Sequence, residues 1–229
     1  MAQIIQINPT TWRIEDDFVR FFLLVGEENA AMIDSGVNSP DALQLVKTIT
    51  DKPVILLNTH GDGDHTSATG AFSKIHMHEL DFRGCKVCSR YPNTSLVELN
   101  DNDIVDLGNR PLKVIHIPGH TRGSLAFLDV NQRVLIAGDS VQKGHIFMFG
   151  DKRDPSLYEA SLDKLIDMND EYDEIYASHD EFCLPKDYVS KVKEAWRQVR
   201  SDEVSFEMID LFGNKIKSYT TRTCGFYLD

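Results

Sequence analysis

Apolar residues along this chain fall into short runs separated by polar turns. Residues 4–7 and Val19–Val25 have the length of strands, and the second is almost continuously apolar, as in a strand buried on both faces. A polar turn at 26–29 leads into a further strand, Ala30–Ile33, which ends at Asp34-Ser35-Gly36. Ser39 followed by Pro40 predicts a helix start, a capping hydroxyl with proline at the first helical position. Ala42, Leu43, Val46 and Ile49 give that helix one apolar face. Val54–Leu57 reads as a buried strand, 66–72 as a short helix and 75–78 as another strand, while 79–92 carries no regular period. Strand-like runs then recur at 95–99, 104–107, 112–117, 124–130 and 133–137. Asp154-Pro155 opens a helix with Leu157, Leu162, Leu165 and Ile166 at helical spacing. Residues 174–177 form a strand, and Pro185 starts a helix carrying Val189, Val192, Trp196 and Val199, with Trp196 in the core. The tail, 204–228, alternates around Gly213-Asn214 as a terminal hairpin does. No linker or repeat interrupts the pattern, so residues 1–229 are expected to form a single domain.

Composition narrows the function classes. A hydrophobic content of 41% and a charged content of 26% are ordinary for a globular protein. The formal net charge of −12 argues against a nucleic-acid or anionic-membrane partner and leaves a small molecule as the expected one. No secretory signal is visible at the N-terminus and no apolar run is long enough for a membrane span. Four cysteines, Cys85, Cys88, Cys183 and Cys224, are too few and too scattered for a disulfide framework. The expectation is a cytoplasmic protein with its thiols reduced and unpaired.

Chemistry concentrates in Asn58-Thr59-His60-Gly61-Asp62-Gly63-Asp64-His65, directly after the apolar run 54–57. Two glycines let the loop bend tightly, so that imidazoles and carboxylates converge instead of splaying outward. Neutral imidazole and carboxylate are the usual ligands of a divalent cation with a catalytic role. Three more strand-end segments offer similar groups: Pro118-Gly119-His120-Thr121, Gly138-Asp139-Ser140 and Ser178-His179. Each alone reads as an ordinary polar loop; four in one chain point to a site where loops gather at strand ends.

With these motifs, in this order, the chain resembles the metallo-beta-lactamase superfamily in its compact, glyoxalase II-like form. The resemblance implies an α+β fold, a four-layer αβ/βα sandwich of two mixed sheets with outer helices. It also implies a two-metal site at one sheet edge, with His60, Asp62, His120 and Asp139 around one ion. Asp64, His65, Asp139 and His179 would surround the other, Asp139 bridging, and Asp34 would fix the loop without ligating. The family's usual pattern has histidine where this chain has Asp62. Either one metal site is lost or Asp62 ligates; the second is preferred, because every other ligand position is intact and aspartate is a competent ligand. Zinc is the first choice, and the extra carboxylate moves weight toward iron or manganese, as in the related flavodiiron proteins.

The implied activity is metal-dependent hydrolysis of a small ester, thioester, lactone, amide or phosphoester, with Asp64 orienting a metal-activated water. No nucleophile-elbow motif competes with this reading. The alternatives are a di-iron redox protein without the flavin domain, and a non-catalytic protein stabilised by its metal. His76, His78, Cys85 and Cys88 have the spacing of half a zinc knuckle, but no second Cys-x-x-Cys accompanies them. His78 remains a candidate for a place near the metal pocket, whereas His116 reads as structural. Phe147, Met148 and Phe149 are either core or an apolar substrate wall, and His145 and Arg122 are candidate substrate contacts.

Overall fold

Val19–Val25 (β3) shows why the chain layers as it does. Alternate side chains of a strand point to opposite faces, and here both faces are apolar: Phe22 and Leu24 enter one core, Phe21 and Leu23 another. The computed structural model describes residues 2–86, 88–91 and 93–229. β3 lies inside a seven-stranded sheet with Gln3–Asn8 (β1), Thr11–Asp16 (β2), Ala30–Ile33 (β4), Val54–Leu57 (β5), Lys74–Met77 (β6) and Ser95–Glu98 (β7), in the order β1-β2-β3-β4-β5-β6-β7. Pairing is antiparallel from β1 to β4 and parallel from β4 to β7.

The second sheet comprises Ile104–Asp106 (β8), Pro111–His116 (β9), Leu125–Asp129 (β10), Val134–Ile136 (β11), Glu174–Tyr176 (β13) and Cys183–Pro185 (β14). Its order is β14-β13-β11-β10-β9-β8, with only β11 and β13 parallel. Leu125 and Phe127 of β10 face Phe22, Leu24, Ile33 and Leu57 across the central core. Ala126 and Leu128 pack on the other side with Pro155–Asp167 (α3) and Tyr188–Arg200 (α4). Ala42–Val46 (α1) covers the outer face of the first sheet, and the neighbouring Glu79–Gly84 (α2) contributes Phe82 to the same core. The order of layers is helix, sheet, sheet, helix, the αβ/βα sandwich.

The structure departs from the sequence expectations in one sheet and in several loops. A four-stranded third sheet, His145–Met148 (β12), Gly225–Leu228 (β17), Asn214–Thr220 (β16) and Phe206–Leu211 (β15), extends the terminal hairpin. Its parallel β12–β17 pair joins residues 80 positions apart, which no local pattern encodes. The helix expected at 66–72 is replaced by two 3₁₀ turns, Gly63–His65 and Thr69–Ala71, because the loop bends to aim its polar side chains. The region at 79–92 contains α2, whose first turn is capped by His78 Nδ1 accepting from Leu80 N at 3.2 Å. Pro185 closes β14 instead of starting a helix; α4 begins at Tyr188. Cys85 and Cys88 are disulfide-bonded, against the expectation of four free thiols; Cys183 and Cys224 are free. The bridge also removes the thiol argument for a reducing compartment. Among the described residues, no helix is long and apolar enough to cross a membrane.

Candidate metal centre

The strand-end loops meet at one edge of the two facing sheets. The loop after β5 carries His60, Asp62, Asp64 and His65, that after β9 carries His120, that after β11 carries Asp139, and that after β13 carries His179. All seven come together, as two groups whose donor atoms lie within 4.8 Å of one another: Asp64, His65, Asp139 and His179, and His60, Asp62 and His120. Gly138 makes the approach of the Asp139 turn possible. Its φ is +53°, and a Cβ there would lie 2.8 Å from Thr59 Oγ1.

Hydrogen bonds decide which nitrogen each imidazole offers. His65 Nδ1 lies 2.9 Å from Asp34 Oδ2, His120 Nδ1 2.9 Å from Phe147 O, and His179 Nδ1 2.9 Å from Phe18 O. Carboxylate and carbonyl oxygens only accept, so each Nδ1 carries the proton. Thr59 donates its single hydroxyl hydrogen to Asp34 Oδ2 at 2.7 Å, which leaves Oγ1 to accept from His60 Nδ1 at 2.9 Å. Four Nε2 lone pairs are thereby left facing inward, the arrangement of metal-ligating histidines held from behind.

The spacing inside the cluster fits divalent ions. Tetrahedral bonds of about 2.0–2.1 Å place ligand atoms about 3.4 Å apart. Asp139 Oδ1 lies 3.2 Å from both His65 Nε2 and His179 Nε2, and Asp64 Oδ2 lies 3.6 and 3.5 Å from the same atoms. On the other side, Asp62 Oδ2 lies 3.7 Å from His60 Nε2 and 3.6 Å from His120 Nε2. Asp139 Oδ2 lies 4.0 and 3.7 Å from those two nitrogens, which are themselves 3.2 Å apart. Asp139 thus turns one oxygen to each set. Among the described residues, and with the His65 proton on Nδ1, buried Asp139 Oδ1 and His65 Nε2 have no hydrogen-bond partner, a costly state that a cation between them relieves. The donor set and its geometry fit two divalent ions.

Charge follows the same geometry. Burial pushes the Asp139 carboxyl up, but His179 and His65 more than reverse it and hold it well below the usual carboxylate range. Burial lowers His65, and Asp139, Asp64 and Asp34 override it, leaving His65 well above its ordinary value. His60 is held well below, by burial and by neighbouring His65.

Three residues important to this arrangement escaped the sequence reading. Asp81 of α2 accepts from Gly61 N and Thr121 Oγ1 through Oδ2, at 2.8 and 2.7 Å, and from Gly123 N through Oδ1 at 2.9 Å. It ties the His60 loop to the His120 loop, and a lone aspartate in an irregular region gave no signal. Thr59 was visible as a motif neighbour but not as a relay to Asp34. Arg153 lies in the loop before α3 and donates from Nη2 to Asp62 Oδ2 at 2.6 Å.

The cluster opens into a cavity of about 730 Å³. Phe18, Phe147, Leu211, Phe212 and Tyr227 supply an apolar wall, with His145, Gln142 and Arg153 among the polar groups. His145 and Phe147 line this cavity, whereas Met148 is buried core. Arg122 lines an adjoining depression with Asp81 and Lys152 instead. His78 stacks on His116 at 4.3 Å, away from the cavity lining, and His76 bonds Leu56 O through Nδ1.

The Metallo-beta-lactamase superfamily model matches residues 14–80 and 88–179. The chain belongs to that superfamily. It is 31% identical over 136 residues to an uncharacterized protein of Aquifex aeolicus, covering 51% of this chain and 62% of that protein. It is 22% identical over 188 residues to the human acyl-coenzyme A thioesterase MBLAC2, covering 65% of this chain and 67% of the relative. It is 26% identical over 169 residues to the hydroxyacylglutathione hydrolase GloC of Haemophilus influenzae, covering 63% and 77%. The chain thus spans less than two thirds of the Aquifex protein's length and about two thirds of the thioesterase's. Its fold is similar to a metallo-beta-lactamase from Pontibacter korlensis, with a TM-score of 0.75 at 16% identity, covering 86% of this chain and 99% of that one. A di-iron-bound form of TTHA1623 is similar at a TM-score of 0.62 and 23% identity, covering 73% and 90%. The family match stops at residue 179, so the third sheet, including Leu211 and Phe212 of the cavity wall, lies mostly outside it.

Proposed function

We propose that the protein is a metal-dependent hydrolase acting on the acyl group of a small thioester or ester, and that its chain is one catalytic unit. The observation that carries this reading is the set of four imidazoles, each protonated at Nδ1, whose Nε2 atoms converge with three carboxylates at the floor of an open cavity. Two relatives support the substrate class, since both are named for removing an acyl group, and the apolar wall suits such a group.

His60, Asp62, His120 and Asp139 would hold one divalent ion, and Asp64, His65, Asp139 and His179 the other. Bound there, the ions supply Lewis acidity and make hydroxide available near neutral pH. The chain's own residues do the rest. Asp64, partly exposed to the cavity, would orient the attacking water and take up its proton. Phe147 and Tyr227, with ring centroids 5.0 Å apart, present an edge against which an acyl chain can lie. Phe212, 82% exposed at the tip of the β15–β16 hairpin, would lie against a bound chain. Zinc suits the histidine-rich set; the carboxylates also suit iron or manganese, and a structural relative binds two irons.

The test is purified protein, stripped and reloaded with a defined metal, against acyl thioesters, lactones, lactams and phosphodiesters. Chelator-sensitive turnover of acyl thioesters supports the reading. Metal-loaded protein that turns over none of the four classes but consumes oxygen in its iron form would favour the redox alternative instead.

A further inference from the structure

Arg153 places a guanidinium against a half-site meant for a cation. Its Nη2 donates to Asp62 Oδ2 at 2.6 Å, and its Nη1 lies 3.4 Å from His120 Nε2. The side chain is 12% exposed, so water screens it little. The loop around it is tied to the loop carrying His120: Asp154 N donates to Gly119 O at 2.8 Å, and Arg122 N donates to Lys152 O at 3.0 Å. A turn from Gly150 O to Arg153 N at 3.1 Å fixes the loop from within. Arg153 is therefore not a surface side chain that happened to fold inward.

An unpaired cation beside a metal site repels the metal. What makes Arg153 tolerable here is Asp62. With the imidazoles neutral, as ligation requires, the seven clustered side chains carry three negative charges; Arg153 reduces the total to two. That is the charge the cluster would have with a neutral nitrogen donor, such as His60 or His120 already provides, in place of Asp62. Lys152 Nζ stands 3.7 Å from Asp62 Oδ1 but is about a third exposed, so its contribution is screened. The Nη2 hydrogen bond also orients the carboxylate, since hydrogen bonds to a ligating carboxylate set which lone pair it presents.

We infer that Asp62 and Arg153 act as one unit: Arg153 is a positioning residue that orients and neutralises Asp62, and the pair together stands in for a single neutral donor. This rests on the metal-hydrolase reading. Its consequence is specific. Exchanging Asp62 alone for a neutral donor strands Arg153 beside the ion, while exchanging both removes the conflict.

The experiment is a double-mutant cycle read by metal binding, not by activity. Wild type, Asp62→His, Arg153→Met and the double variant are stripped of metal, then titrated with zinc against a chromophoric chelator, with elemental analysis of the dialysed protein. Melting of the metal-free forms reports folding. The expected result is two ions for wild type, one for Asp62→His, and two again for the double variant. Arg153→Met should thus improve binding of the second ion at least tenfold more in the Asp62→His background than in wild type. Arg153→Lys keeps the charge without the guanidinium geometry and gives no such recovery in that background, which also serves if the methionine variant does not fold. Equal effects of Arg153→Met in both backgrounds, or recovery by Arg153→Lys, overturn the pairing while leaving the hydrolase reading intact. A wild-type protein that binds no metal overturns both.

Discussion

The Nδ1–H of His65 donates to Oδ2 of Asp34 across 2.9 Å, and that bond decides which nitrogen of the imidazole is free for a metal. Asp34 is buried and sits at φ +62°, a left-handed conformation that aspartate adopts more readily than most residues. Its Oδ1 accepts from Thr59 N at 2.8 Å, so one carboxylate fixes two consecutive segments of the site.

Asp34→Asn offers an N–H or a weaker acceptor where His65 needs a carboxylate, freeing the ring to turn or change tautomer. Affinity for the ion held by His65 should fall by about 10- to 100-fold, the usual cost of losing such a partner. Competition with a chromophoric chelator measures this; unchanged affinity means the bond does not orient the ligand.

Protons compete with metal at the same nitrogens. His65 is raised well above its ordinary value because Asp139, Asp64 and Asp34 outweigh its burial, so it holds its second proton to a higher pH than a free imidazole. A ligating histidine must lose that proton. Metal affinity should therefore climb as pH rises through and beyond the ordinary histidine range, with proton release on binding. Titration calorimetry in buffers of different ionisation enthalpy detects the released protons; affinity that is flat from pH 6 to 8 contradicts the assignment.

The thiol inventory is now two and two. Cys85 and Cys88 are bridged, and burial pushes the Cys224 thiol up to about 12. Denatured, unreduced protein should show two free thiols, and four after reduction. In the native protein Cys224 should resist alkylation at pH 8, because little thiolate is present. Peptide mapping after labelling distinguishes the sites.

Much of this centre was legible from sequence. The ligand-bearing loops announced themselves because each follows an apolar strand and because His and Asp recur at close spacing within 60–65. β3 was legible for the same kind of reason, its unbroken apolar run matching burial on both faces. Asp81, Arg153 and the β12–β17 pairing were not, because their roles depend on contacts between segments 20 to 91 residues apart. The strand at Thr11–Asp16 was missed because its buried positions, Thr11, Ile14 and Asp16, do not alternate and only Ile14 is apolar. Arg13 and Glu15 leave Trp12 and Ile14 too isolated to read as an apolar run.

The hairpin tip offers a test of substrate class. Phe212 contributes to the cavity wall yet has almost no support from the rest of the fold. Phe212→Ala should leave stability within about 0.5 kcal/mol, as for surface substitutions generally. KM for long acyl thioesters should rise several-fold, with little change for acetyl thioesters. Equal effects on both chain lengths would mean that the tip does not touch the acyl group.

Asp139 bears the central claim, since its two oxygens face the two sets of imidazoles. The most direct measurement is metal content of Asp139→Ala beside wild type, by elemental analysis after reconstitution and dialysis. Two ions per chain in wild type, and loss of both or all but a weakly held one in the variant, is the predicted result. Wild type with no more than one ion, or a variant that retains two, would contradict a bridged two-metal centre.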